Sequence, residues 1–158
     1  MALPRCVSPG HGAVGALLLA ALLGAGCGAG QGSPEEALRA FVAHAEAAAE
    51  ARDRRALMAM VSAAYADARG NDRAAIGRLV RLYFLRRQDV ALLTHIDDIE
   101  LGGDSAARVT VTVGMAGSGG GTSAWHADAY RLELELEADD GEWSLIGARW
   151  SELGGELR

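Results

Sequence analysis

Apolar residues keep a helical spacing over the first half of the chain and a two-residue spacing over the second. Ser33-Pro34-Glu35-Glu36 opens the helical part. Ser33 can cap, Pro34 suits the first helical position, and Glu36 stands three residues after the cap as a capping box requires. Leu38, Phe41, Val42 and Ala45 follow on one face and predict a helix to about Arg52. Asp53 is a cap for a second helix, which carries Leu57, Met60, Val61 and Tyr65 and runs out near Gly70. Asn71 or Asp72 caps a third, with Ile76, Leu79, Val80, Tyr83 and Phe84 on one side. Over 90–101, 107–115, 127–138 and 142–150 the apolar residues alternate or form short blocks of Val, Ile and Leu, which predicts strands. Gly102-Gly103-Asp104 and Asp139-Asp140-Gly141 are turn sequences, so the strands form two antiparallel hairpins joined through Gly117 to Gly121. Val109, Val111 and Val113 face the core, with Thr110 and Thr112 away from it. The plan is α+β: three N-terminal helices packed on a curved, mainly antiparallel sheet of four or more strands.

The segment before Ser33 has a different character. Arg5 is followed by an apolar run from Ala13 to Ala25, thirteen residues, and the run closes on Leu22-Leu23-Gly24-Ala25-Gly26-Cys27. That order is an export signal, and the run is short of the roughly 20 residues that a spanning helix needs. The segment resembles the lipobox of bacterial lipoproteins, with one departure: Gly24 stands where the family usually has Leu, and Leu23 is one place earlier. The resemblance implies cleavage before Cys27, lipidation of its sulfur and anchoring of the mature chain to a membrane. In a Gram-negative source, Gly28 at the next position implies the periplasmic face of the outer membrane, because the retention aspartate is absent. The competing reading is an ordinary secretory signal with an incidental cysteine. Domain bounds follow: signal 1–26, lipidated Cys27 with a short tether to 32, folded domain 33–153, tail 154–158.

Lipidation would consume the only cysteine of the mature chain, since Cys6 leaves with the signal; neither disulfide nor cysteine nucleophile remains. Loss of residues 1–26 removes only Arg5, so 14 basic residues face 21 acidic ones, a charge of −7. With no basic stripe in view, that balance argues against a nucleic-acid partner and against an anionic membrane surface. The domain can bury one core and not two.

The capped first helix with Leu38, Phe41 and Val42, Tyr83-Phe84 on the third, Asp97-Asp98-Ile99 leading into Val109 to Val113, and the ending Gly147-Ala148-Arg149-Trp150 together resemble the nuclear-transport-factor-2-like superfamily. The resemblance covers about residues 33 to 153 and is one of pattern and order. It implies a cone whose sheet wraps a pocket. Members include ketosteroid isomerase, scytalone dehydratase, polyketide cyclases and binding or assembly modules without catalysis, and no member's catalytic set maps onto this chain.

Strand parity nominates the polar groups of such a pocket. His126 and Asp128 share the side of Tyr130, Leu132, Leu134 and Leu136, and His95 and Asp97 share a side with Leu93, Ile99 and Leu101, unless a bulge flips the parity. A carboxylate beside an imidazole in an apolar cavity can act as a general base, with Tyr65 or Tyr83 as proton donor, and two such pairs can ligate a metal. Half-exposed strand-end residues with ordinary hydrogen bonds are the plainer reading. His44, between apolar positions of the first helix, is expected to be partly buried. Trp125, Trp143 and Trp150 line a pocket or pack. Gly117 to Gly121 is no phosphate loop, because no Lys-Ser/Thr follows, and Ser123 lacks a nucleophile-elbow setting.

Three functions fit. The leading one is an envelope lipoprotein whose cone binds a small apolar molecule or an envelope protein without catalysis, with neither cofactor nor metal. The second is a small enzyme of proton transfer or hydration, and the third a structural module pairing with a second copy through its sheet. Buried, convergent polar groups in an open cavity favour the second. A filled cone with a flat apolar exterior favours the third.

Overall fold

Ser33 starts the folded unit by the reciprocal cap that its sequence predicts. The Glu36 amide donates to Ser33 Oγ at 3.2 Å, and the Ser33 amide donates to Glu36 Oε2 at 2.9 Å. The computed structural model describes residues 32–87, 89–119, 122–153, 155 and 157, excluding the side chains of 117–119 and 122–127. The signal, Cys27, residues 28–31 of the tether, and the side chains of Ser123, Trp125 and His126 lie outside the described residues. Among those described, no helix is long and apolar enough to cross a membrane.

Helix α1 (Pro34–Glu50) buries Leu38, Val42 and Ala48. Asp53 caps α2 (Arg54–Ala59), and Asp72 caps α3 (Arg73–Arg86), each accepting from a backbone amide of its first turn. The second helix is shorter than its apolar pattern predicts. Its continuation is claimed by the sheet: Ser62 and Ala66 amides donate to the carbonyls of Leu145 and Ile146, and Met60 accepts from Leu145, all within 2.9–3.0 Å. Val61 and Tyr65 are buried in this strap instead of on a helix. His44, expected to be partly buried, is exposed on α1.

Strands β1 (Ala91–Leu101), β2 (Ala106–Gly119), β3 (Thr122–Asp139) and β4 (Glu142–Glu152) form one antiparallel meander in sequence order. The glycine-rich stretch is thus mostly consumed by pairing of β2 with β3, so the two expected hairpins become one continuous sheet. Asp140 (φ 49°) and Gly141 (φ 84°) turn β3 into β4 with both central residues left-handed, the type I′ geometry that Asp-Gly favours. Val109, Val111 and Leu136 are fully buried and, with Leu38 and Val42, make the core between sheet and helices. The valine side of β2 is the core side, as its alternation predicts.

Two bulges break strict alternation. In β1, Ile96 pairs with Val111 and Asp98 with Thr110, leaving Asp97 as the extra residue. Regular alternation would turn one of the adjacent carboxylates Asp97 and Asp98 into the core; the bulge sends both outward. In β4, Leu145 pairs with Leu136 and Gly147 with Glu135, so Ile146 is extra, at the point where the strap attaches. Gly147 suits the close approach here: a Cβ would stand 3.2 Å from the Ala66 carbonyl and 3.0 Å from Glu135 Oε2, tight enough that these neighbours would have to give.

Candidate functional site

Helices α1 and α3 stand off the inner face of the sheet far enough to leave a cavity of about 430 Å³ between them. Phe41, Val42 and Ala45 wall it from α1, Leu79, Val80, Tyr83 and Phe84 from α3, and Leu92, Val111, Val113, Met115, Leu132 and Leu134 from the sheet. A volume of this order holds a small ligand. The cone interior is therefore open and almost entirely apolar.

Polar groups are few. Glu46 on α1 supplies the one carboxylate among the lining residues, and Thr94 on β1 donates its hydroxyl to Glu46 Oε2. Tyr83 places a phenol ring in the same wall, edge-on to Phe84 with centroids 6.2 Å apart. One helical turn below, Glu50 Oε1 accepts the Leu92 amide at 3.0 Å, so α1 is stitched to the edge of β1 by two carboxylates. Glu46 was missed by the sequence reading. It stands four residues after Val42 and three before Ala49, on the apolar stripe of α1, and that placement was the available signal.

Of the residues nominated by parity, His95, Asp97 and Asp128 do not line this cavity. The β1 bulge reverses the expected sidedness, so that Leu92, Thr94 and Ile96 face inward and Leu93 and His95 outward, while Ile99 is inward again. His95 and Asp97 meet on the outer face at 4.0 Å, with side-chain exposures of 80% and 27%, and Asp97 accepts from the Thr112 hydroxyl at 2.8 Å. Asp128 keeps the side predicted for it, opposite Met115 in the register, and is exposed at the rim beyond Leu92 and Met115. His126, two residues earlier in β3, is placed by its backbone alone, paired with Gly117. Tyr130, next inward from Asp128, has its hydroxyl pKa raised by partial burial and by the charges of Asp128 and Glu152. Among the described residues, no group of three or more His, Cys, Asp or Glu is placed to hold a metal.

Tyr65 and two of the tryptophans belong elsewhere. Tyr65 is buried with Val61 and Ala148 and does not line the cavity, and burial together with Asp67 pushes its hydroxyl pKa well up. Trp150 packs on that cluster under the Arg69 guanidinium, 4.3 Å from the ring centroid, and Trp143 packs on the main core. Outside the sheet, Arg108 joins Glu100, Glu133 and Glu135, and Arg149 joins Glu133. The exterior of the sheet is thus charged where a flat apolar face would be needed for pairing of sheets.

No family model matches the chain, and no curated protein matches it. Solved structures do resemble it. A ketosteroid isomerase-like protein from Erwinia carotovora atroseptica superposes with a TM-score of 0.65 at 13% identity, over 77% of this chain and 98% of that one. A protein of the NTF2-like family from Streptomyces avermitilis gives 0.67 at 13% identity, over 76% and 97%. A hexachlorocyclohexane dehydrochlorinase from Novosphingobium barchaimii gives 0.64 at 13%, over 78% and 88%. At such identities the likeness is one of fold, and the domain has the nuclear-transport-factor-2-like cone that the sequence resemblance implied.

Proposed function

We propose that this cone domain binds a small apolar molecule, or the apolar part of a larger one, without transforming it, and that a lipid on Cys27 holds it at a cell-envelope membrane. The observation that carries the binding reading is the open cavity, whose one carboxylate is already hydrogen-bonded to Thr94. An empty apolar cavity forgoes dispersion contacts that a ligand restores, and the Glu46 Oε1 atom can orient a ligand's polar end. The charged sheet exterior weighs against self-pairing as the main role. Lipidation rests on the lipobox resemblance alone, as does placement on the periplasmic face of an outer membrane in a Gram-negative source.

An enzymatic reading keeps one supporting observation: Glu46 and Tyr83 are a carboxylate and a phenol in an apolar enclosure, and the similar folds include an isomerase-like protein and a dehydrochlorinase. The experiment separates the two. The full chain is titrated with N-phenylnaphthylamine, whose fluorescence rises in apolar surroundings, and its melting temperature is followed. Saturable binding and a rise of several degrees are expected, because a ligand at 100 times its Kd stabilises the native state by about 2.7 kcal/mol. Ala45→Trp, which fills the cavity, should abolish both while raising the melting temperature of the free protein. Unchanged binding in that variant would overturn the reading. A reaction slowed on the order of 10²-fold by Glu46→Gln, with stability unchanged, would replace it by the enzymatic one.

A further inference from the structure

Helix α3 is lined by cavity on its inner side and carries an unusual outer side. Leu82 and Leu85 are 43 and 72% exposed there, and Leu79, at the border with the cavity, is 48% exposed. At 100° per residue they alternate around the helix with Arg81, Arg78 and Arg86, all exposed as well. The helix holds four arginines and no acidic residue. None of Arg78, Arg81 and Arg86 enters an ion pair among the described residues. The rest of the chain has the opposite sign, its other 11 basic residues facing 21 acidic ones.

We propose that the outer face of α3 docks on an anionic phospholipid surface. Interleaved leucines and arginines suit that boundary, since leucine enters the acyl margin while the guanidinium, on its long apolar stem, reaches back to a phosphate. An acidic protein partner would use the arginines but leave leucines between them facing charge. Electrostatics favours one orientation: an anionic surface repels the acidic body and attracts α3, with four arginines the most basic of the helices, so the domain lies with α3 down. The proposal takes the nearness of the membrane from the lipid-anchor reading, in which the five residues 28–32 reach at most about 18 Å.

The test uses the full chain with Cys6→Ser and Cys27→Ser, which has no sulfur for lipid, and two vesicle compositions: phosphatidylcholine alone, and phosphatidylcholine with phosphatidylglycerol. The readout is the difference in affinity between them, to which an apolar signal segment contributes equally in both. Tighter binding to the anionic vesicles is expected. Arg78→Gln, Arg81→Gln and Arg86→Gln together should reduce that preference on the order of 10²-fold, since each arginine near such a surface contributes a factor of about five. A polarity-sensitive dye on Leu85→Cys should shift to the blue on anionic vesicles only, and dye binding in the cavity, followed in parallel, should be unchanged and so report an intact fold. A triple variant with the same preference, or a label that stays in water, would overturn the proposal. Loss of self-association in place of vesicle binding would also overturn it, in favour of a second copy. Retained vesicle preference in a protein whose Cys27 proves unlipidated would support docking while removing the anchor.

Discussion

Val111 and Thr112 are neighbours whose side chains meet opposite environments. Val111 is fully buried in the core cluster, whereas Thr112 points outward and donates to Asp97. Val111→Asp places an unpaired charge in the core and should cost several kcal/mol, enough to lose the cooperative unfolding transition altogether. Thr112→Asp puts a carboxylate near Asp97 but opposite Arg131 in the register, and should lower the unfolding free energy, read from denaturant titration, by less than about 1 kcal/mol. Equal damage from both would mean that the sheet is covered on its two faces. The same residue-scale logic explains why the polar site was only partly legible. Valine alternation is a redundant signal repeated over three residues, so β2 reads correctly, while the sidedness of His95 depended on one unpaired residue, Asp97, that no local preference announces.

At the scale of elements, the strap of residues 60–72 is held by a single side chain as much as by its packing. Asp67 Oδ1 accepts the amides of Arg69 and Asn71, and Oδ2 accepts the Asn71 side-chain amide and the Tyr65 hydroxyl. Partial burial by itself would raise the carboxyl pKa, but these donors, led by the Asn71 side chain, outweigh it and hold the value below the ordinary 3.8. A folded-state value below the unfolded one adds stability that is fully present above the unfolded value and vanishes as pH falls through the folded one. The stability gap between the parent and Asp67→Asn should therefore stay constant from neutral pH to about pH 5, then shrink as the pH drops below the ordinary carboxylate value. Chemical denaturation across that range measures it, and a gap that does not shrink would mean that the loop is held by packing alone. Here too the sequence told only part. The apolar positions of Met60, Val61 and Tyr65 are compatible with a helix, and what ends the helix is tertiary, the carbonyl and amide groups of Leu145 and Ile146 offered by the bulged edge of β4. Helices α1 and α3 were legible because each has a capping side chain and a one-sided burial that no neighbour overrides.

For the whole molecule, the proposed anchor sets where everything else happens. Cys27→Ser should abolish incorporation of labelled fatty acid and leave either an uncleaved precursor or a form released by high salt, whereas the parent should need detergent for release. Label still incorporated into the serine variant would end the lipoprotein reading. Anchoring confines molecules to a plane and brings their sheets repeatedly within reach of one another, a condition under which open strand edges template fibrous growth. Both borders of this sheet are partly occupied. Glu50 and Glu46 side chains take up the amide of Leu92 and the hydroxyl of Thr94 along β1, and the strap from Met60 to Ala66 bonds the amide and carbonyl of Leu145 and the carbonyl of Ile146 on β4. If the anchor holds, the Glu46 contact in the cavity wall and the strap on β4 would also keep a crowded, two-dimensional population of these domains from zipping together strand by strand.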